Sequence, residues 1–346
     1  MNDTIEFRSD NSAGCAPEIL AAIAAANSGT ALAYGADNWT AALHERVAEV
    51  FECPHVAVFP VASGTAANAL SLATLCPPWG SVLCHETAHV LRSECGATSM
   101  FSGGGVIRGL PGENSLLDPD ALEQAFAATR WNDPHDSQPS VLSLTCPTDF
   151  GTIYDATQVT ELARLARSRG MRVHLDGARI ANALARLGRS PAELTWKAGV
   201  DILSLGATKN GVLSTDAIVC FDPALVEQLT YRLKRAGHVS SKMRFQSVQI
   251  DAYLRDGLWL DLAGRANAAM ERLAVGMTGL GVELLADPPV NMAFARVDAS
   301  VADRLEAAGL QFYRMGGPGV IRLVTNFATT VADIDAALGH LSAALR

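Results

Sequence analysis

A lysine set among small residues, Ser204-Leu-Gly-Ala-Thr-Lys209-Asn-Gly211, follows an apolar run that reads as a strand. An amine there can attack an aldehyde if a confined setting disfavours its ammonium form. Upstream, Asp176 ends the run Arg172-Val-His-Leu-Asp176. Ligands in open α/β sheets sit at the carboxyl ends of strands, and a carboxylate there can grip a protonated ring nitrogen. Ser63-Gly64-Thr65 follows a further apolar run and opens a helix, so free N–H groups and two hydroxyls can gather around one phosphate. Each feature alone has a plainer reading as a turn lysine, a helix cap or a strand-to-helix turn. Their order within one sheet points to a cofactor that combines aldehyde, pyridine nitrogen and phosphate. That cofactor is pyridoxal 5′-phosphate (PLP), with Lys209 as the Schiff-base amine and Asp176 on the ring nitrogen. Arg179 is then a candidate for contacting the cofactor or a substrate carboxylate. Neither G-x-G-x-x-G nor G-x-x-x-x-G-K-[ST] occurs, which argues against a dinucleotide or ATP site.

These groups need an α/β sheet to hold them. From 54 to 221 short apolar runs alternate with amphipathic stretches. Strands are expected at 55–59, 81–84, 140–144, 172–175, 201–205 and 217–221, with helices at 65–75, 119–128, 157–168 and 191–198. The runs are too continuously apolar for a sheet with one wet face, so helices should cover both faces. Residues 223–235 read as helical, and 245–280 as a long helical stretch interrupted or bent near Gly257 and Gly264. Beyond it, strands at 282–285, 292–297, 311–315 and 320–324 surround a helix at 301–308 and are closed by a helix at 330–345. The expected fold is α/β: a mixed, mostly parallel sheet in a large cofactor domain, plus a smaller C-terminal α/β domain. The expected division is 1–250, the N-terminal segment and large domain, and 251–346, the bridging helix and small domain.

A chain of 346 residues suggests about two domains. Its 49% hydrophobic and 18% charged residues are those of an ordinary folded protein. A formal net charge of −9 argues against a nucleic-acid or anionic-membrane surface, which needs clustered positive charge. The start, MNDTIEFRSDN, has neither a basic stretch nor an apolar core, so a cytoplasmic protein is expected. The seven cysteines form no C-x-x-C pair and read as free, mostly buried thiols, and no metal site is expected.

The segments Phe7-Arg-Ser-Asp10, Ser63-Gly-Thr65, His174-Leu-Asp176-Gly-Ala-Arg179, Lys209-Asn-Gly211 and Ile321-Arg322-Leu-Val-Thr-Asn together resemble the low-specificity L-threonine aldolases. The resemblance runs over nearly the whole chain. It is greatest to a bacterial branch with the segment Thr195-Trp-Lys-Ala-Gly-Val-Asp201. It implies fold type I and reversible cleavage of L-threonine, L-allo-threonine or phenylserine to glycine and an aldehyde. It also implies Ser9, Arg179 and Arg322 at the substrate carboxylate, and Ser63, Gly64 and Thr65 at the cofactor phosphate. His85 matches the family histidine that stacks on the pyridine ring, with His89 secondary. Tyr34-Gly35 resembles a motif whose tyrosine reaches a neighbouring subunit, implying a homodimer or homotetramer with shared sites.

One departure concerns catalysis. Many relatives carry a Thr-His pair where this chain has Thr148-Asp149-Phe150-Gly151. His85 is then the expected acceptor of the β-hydroxyl proton, with Asp149 orienting the hydroxyl or a water. The cofactor constellation also suits a serine hydroxymethyltransferase or an aminotransferase. A nucleotide-dependent oxidoreductase or a non-catalytic binding protein on a similar sheet are the readings of another class.

Overall fold

The apolar runs of the first two-thirds of the chain pair into one sheet. In the computed structural model, which describes residues 4–315 and 317–346, the strands are, in chain order, β1 (Ile5–Glu6), β2 (Ala57–Val61), β3 (Gly80–His85), β4 (Val106–Leu110), β5 (Gln138–Thr145), β6 (Arg172–Gly177), β7 (Ile202–Leu205), β8 (Asp216–Cys220), β9 (Glu283–Leu284), β10 (Met292–Arg296), β11 (Leu310–Gln311), β12 (Tyr313–Arg314) and β13 (Val320–Val324). The large sheet has seven strands in the order β2-β8-β7-β6-β5-β3-β4. Strand β8 is antiparallel to both neighbours and every other pair is parallel. The expected mixed, mostly parallel sheet is therefore found.

Because β8 reverses against β7 and β2 reverses against β8, β2 points the same way as the parallel strands. The carboxyl ends of β2, β3, β5, β6 and β7 share one edge of the sheet, together with the amino end of β8. Helices bury both faces: every residue of β3, β7 and β8 is buried. Helix Gly64–Leu75 follows β2 with Ser63 as its N-cap, and helix Ala156–Ser168 opens with a capping box between Asp155 and Gln158.

A second core lies around the antiparallel sheet β12-β13-β10-β9 and helices Ala299–Ala307 and Val331–Ala344. Strand β1 pairs in parallel with β11, and the Val324 N–H donates to the Phe7 carbonyl at 2.8 Å. Ile5 and Phe7, in the segment expected to go with the large unit, thus pack in the C-terminal core. This tie brings Ser9, Asp10 and Arg322 to the same place.

Several elements differ from expectation. The first strand of the sheet runs two residues later than 55–59, because His55 is exposed and the β2–β8 register pairs Val61 with Asp216. Strand β4 was not expected: Arg108 and Gly109 interrupt its apolar run, and as the edge strand it is half exposed. The stretch 191–198 breaks at Thr195, whose ψ of −106° is not helical. The long C-terminal stretch breaks near Gly257, where Asp256 and Gly257 are both left-handed (φ 53° and 75°), but helix Leu258–Gly279 runs straight through Gly264. A solvated glycine lowers helix propensity without breaking a helix that packs along its length.

Candidate active site

At the shared edge of the large sheet lies a cavity of about 480 Å³. Its walls come from the ends of β5 and β6, the start of β8, the segments that follow β2, β3 and β7, and the C-terminal sheet.

Lys209 enters on a tight turn after β7. The backbone there runs so close to β6 that a Cβ on Gly206 would stand 2.3 Å from the Ala178 carbonyl oxygen, and Gly206 N–H bonds to Gly177 O at 3.0 Å. Only glycine permits that approach. Asp216, at the start of antiparallel β8, accepts from the Ala207 and Thr208 N–H groups at 2.8 and 2.9 Å. Asn210 anchors the turn's far side on Tyr253 and Trp259. The Lys209 ammonium is disfavoured, first by the positive charge of Arg179 and then by burial, while Asp10, Asp176 and Asp216 act the other way. An amine with a lowered pKa is a better nucleophile. The chain has four lysines, and Lys209 alone among them lines this cavity.

Asp176 sits at the end of β6, 2% exposed, and accepts from Ala178 N–H at 3.0 Å and Asn68 Nδ2 at 2.9 Å. Ser63, Gly64 and Thr65 line the cavity at the first turn of their helix, where backbone N–H groups have no partner within the helix. The Thr208 hydroxyl, which also lines the cavity, is buried with no partner among the described residues, a group to which the sequence assigned no role. Asp216 was missed as well. It opens its strand, and only the antiparallel direction of β8 brings it to the ligand edge.

The two arginines differ in how they are held. Arg179 makes a two-pronged pair with buried Asp10, Nε to Oδ2 at 2.6 Å and Nη2 to Oδ1 at 2.9 Å. Burial pushes the Asp10 carboxyl up, but the charge and hydrogen bonds of Arg179 outweigh it and leave it below the usual range. Among the described residues Arg322 donates only to the Arg8 carbonyl, lies over the Tyr313 ring and has a buried Nε without a partner. Burial and then the neighbouring Arg179 charge make its cationic form less favourable. It fits an incoming carboxylate. Ser9 lines the cavity beside it.

The histidines correct an expectation. His85 ends β3, is 7% exposed, and is not among the cavity-lining residues. Its Nδ1 accepts from the Thr87 N–H at 3.1 Å and its Nε2 lies 3.0 Å from the Gly112 carbonyl, so both nitrogens are consumed by the surrounding loops. His89, four residues further on at the start of the short helix His89–Arg92, lines the cavity instead, with Nδ1 2.8 Å from Glu94 Oε1. That bond raises its pKa against the effect of burial. Spacing alone did not separate two histidines four positions apart. Asp149 also lines the cavity and accepts from His89 N–H at 3.1 Å, on a turn fixed by stacking of Phe150 on Phe294 at 4.7 Å. Burial and then the charge of Asp176 push its carboxyl up. Tyr34 is outside this cavity, 59% exposed, with Lys234 over its ring.

None of the seven cysteines is paired, and five are buried. No cluster of metal-ligating side chains and no helix long and apolar enough to cross a membrane occurs among the described residues.

A family model described as beta-eliminating lyase matches residues 6–300. A low specificity L-threonine aldolase of Pseudomonas aeruginosa is 40% identical over 332 residues, covering 96% of this chain and 95% of that protein. The enzyme of the same name from Pseudomonas sp. strain NCIMB 10558 is 38% identical over 330 residues, 95% and 94% of the two chains. Among solved structures, a Leishmania major threonine aldolase superposes with a TM-score of 0.92 at 24% identity, over 98% of this chain and 99% of that one.

Proposed function

Since the chain belongs to the beta-eliminating lyase family, among the low-specificity L-threonine aldolases, we propose that its cavity cleaves L-β-hydroxy-α-amino acids. The products are glycine and an aldehyde, and the reaction is reversible. L-Threonine, L-allo-threonine and phenylserine are the substrates, and the enzyme is a PLP-dependent lyase. An aminotransferase or a serine hydroxymethyltransferase, open on residues alone, is not favoured by the relatives at 38% and 40% identity.

The observation that carries the residue assignments is the convergence of Lys209, Asp176, the 63–65 turn and Arg322 on one cavity. The residues suit the cofactor: a confined amine for its aldehyde, a strand-end carboxylate for its ring nitrogen, and free helix-start amides plus the unpartnered Thr208 hydroxyl for its phosphate. When bound, PLP supplies an electron sink for the pair released as the Cα–Cβ bond breaks. Lys209 is the amine that would hold it through its aldehyde. Arg322, with Ser9 and the Asp10-held Arg179, orients the substrate carboxylate. Asp149 takes the β-hydroxyl proton as the aldehyde forms, since a carboxyl with a raised pKa is the better base near neutral pH. The ring-facing histidine is assigned to His89 rather than His85. Tyr34 is assigned to a neighbouring subunit's site in a homodimer or homotetramer, and the enzyme to the cytoplasm.

The test is incubation of the PLP-loaded protein with each of the three amino acids, quantifying glycine and aldehyde together. Equal amounts of both are expected. Amino-group transfer without glycine would overturn the reading.

A further inference from the structure

Two buried polar side chains beside the cavity have no part in the roles above. The Glu94 side chain is 0% exposed, and Asn68, on helix Gly64–Leu75, is 2% exposed. A carboxylate removed from water needs strong partners. Glu94 Oε1 has two, His89 Nδ1 and Asn68 Nδ2, both at 2.8 Å. Asn68 Nδ2 donates again, to Asp176 Oδ2 at 2.9 Å. One amide group thus holds two carboxylates with its two hydrogens, and a continuous chain runs from His89 through Glu94 and Asn68 to Asp176. Asn68 Oδ1 and Glu94 Oε2 have no other partner among the described residues.

The direction of each bond is fixed by chemistry. An amide nitrogen only donates, so both carboxylates accept from Asn68. A glutamate oxygen that accepts from an amide draws a second N–H from His89 Nδ1. This sets the imidazole in the Nδ1–H form, opposite to His85, whose Nδ1 accepts.

We propose that Glu94 and Asn68 are positioning residues: Glu94 fixes the orientation and tautomer of His89, and Asn68 ties the same carboxylate to Asp176. The two groups expected to meet the cofactor ring, one histidine and one carboxylate, are then aligned by a single hydrogen-bonded chain. The inference rests on the aldolase reading only for the role of Asp176. The groups acting on His89 besides Glu94 are Asp176 and Asp149, which also favour its cation, and burial, which opposes it.

The test uses histidine-labelled protein without PLP, followed by ¹⁵N NMR across pH, with His89→Asn to assign the signal. In the unaltered protein His89 is expected to titrate above ordinary histidine and to keep the Nδ1–H tautomer when neutral. In Glu94→Gln its midpoint is expected to fall. Asn68→Ala is expected to weaken PLP binding roughly tenfold in an absorbance titration, the scale of one hydrogen bond to a charged group. A merely structural role would leave tautomer and midpoint unmoved. An Nε2–H tautomer in the unaltered protein would overturn the proposal even if Glu94→Gln fails to fold, and so would an unchanged PLP dissociation constant in Asn68→Ala. Unaltered protein that binds no PLP would instead overturn the cofactor reading, and the tautomer would still decide this one.

Discussion

Arg179 and Arg322 face the same cavity, yet removing each should have different effects. Arg179 neutralises buried Asp10, so Arg179→Ala strands a carboxylate and should cost about 3–5 kcal/mol of stability. Arg322 pairs with no acid among the described residues, and its loss leaves nothing stranded. Arg322→Ala is therefore expected to fold and to raise KM for threonine by roughly 10- to 100-fold, the worth of a charge-assisted bond. Steady-state kinetics on the folded variant check this, and an unchanged KM would remove Arg322 from carboxylate binding. The base is the second residue-scale question. With His85 as proton acceptor and Asp149 only orienting, His85→Asn would cost more than Asp149→Asn. With His85 outside the cavity the order reverses. Asp149→Asn should lower kcat by about 100-fold or more, within the usual range for a general base, while His85→Asn acts only through the loop it holds. A base must be deprotonated to act, so activity falls as pH drops through its pKa. Because burial raises that pKa, the acid limb of kcat/KM should lie above the ordinary carboxylate range and vanish in Asp149→Asn. An acid limb that survives in Asp149→Asn would contradict the assignment.

At the scale of elements, two glycines make opposite predictions. Gly206 sits where β6 and β7 converge, and Gly206→Ala drives a methyl into the Ala178 backbone. It should cost about 1–3 kcal/mol in urea unfolding and disturb Lys209 three residues on. Gly264 lies inside helix Leu258–Gly279 with nothing within 4 Å of an added Cβ, so Gly264→Ala should stabilise by about 0.5–1 kcal/mol. Stability changes of the same sign in both would contradict this account of the two backbones. These positions also show what a single sequence can convey. The strand ends carrying Asp176 and Lys209 were legible because each follows an apolar run into small residues. Helix 119–128 was legible from its N-terminal proline. Strand β4 was not, because an edge strand lacks the continuous hydrophobicity of its neighbours. Asp216 was hidden because its value depends on strand direction, which no local pattern encodes. The choice between His85 and His89 depended on which loop turns inward after β3. Asn68 and Glu94 were hidden in an alanine-rich helix and a short loop, where they read as ordinary polar residues.

The whole molecule joins its two cores through the N-terminal strand, so Ser9 and Arg322 reach a site built mainly on the other sheet. One assigned residue, Tyr34, lies outside the lining of its own cavity, and its exposure makes it available to a second subunit. If sites are shared, Lys209→Ala and Tyr34→Ala proteins, each of low activity, should regain turnover when unfolded together and refolded as hybrids. No gain in hybrids confirmed by mass would place Tyr34 outside the site. The central claim is that PLP is held by Lys209 at this cavity, and the small number of lysines makes it directly testable. The PLP-loaded protein is reduced with borohydride, digested and mapped by mass spectrometry. The account predicts a phosphopyridoxyl group on Lys209, and modification of Lys197, Lys234 or Lys242 in its place, or of no lysine, would contradict it.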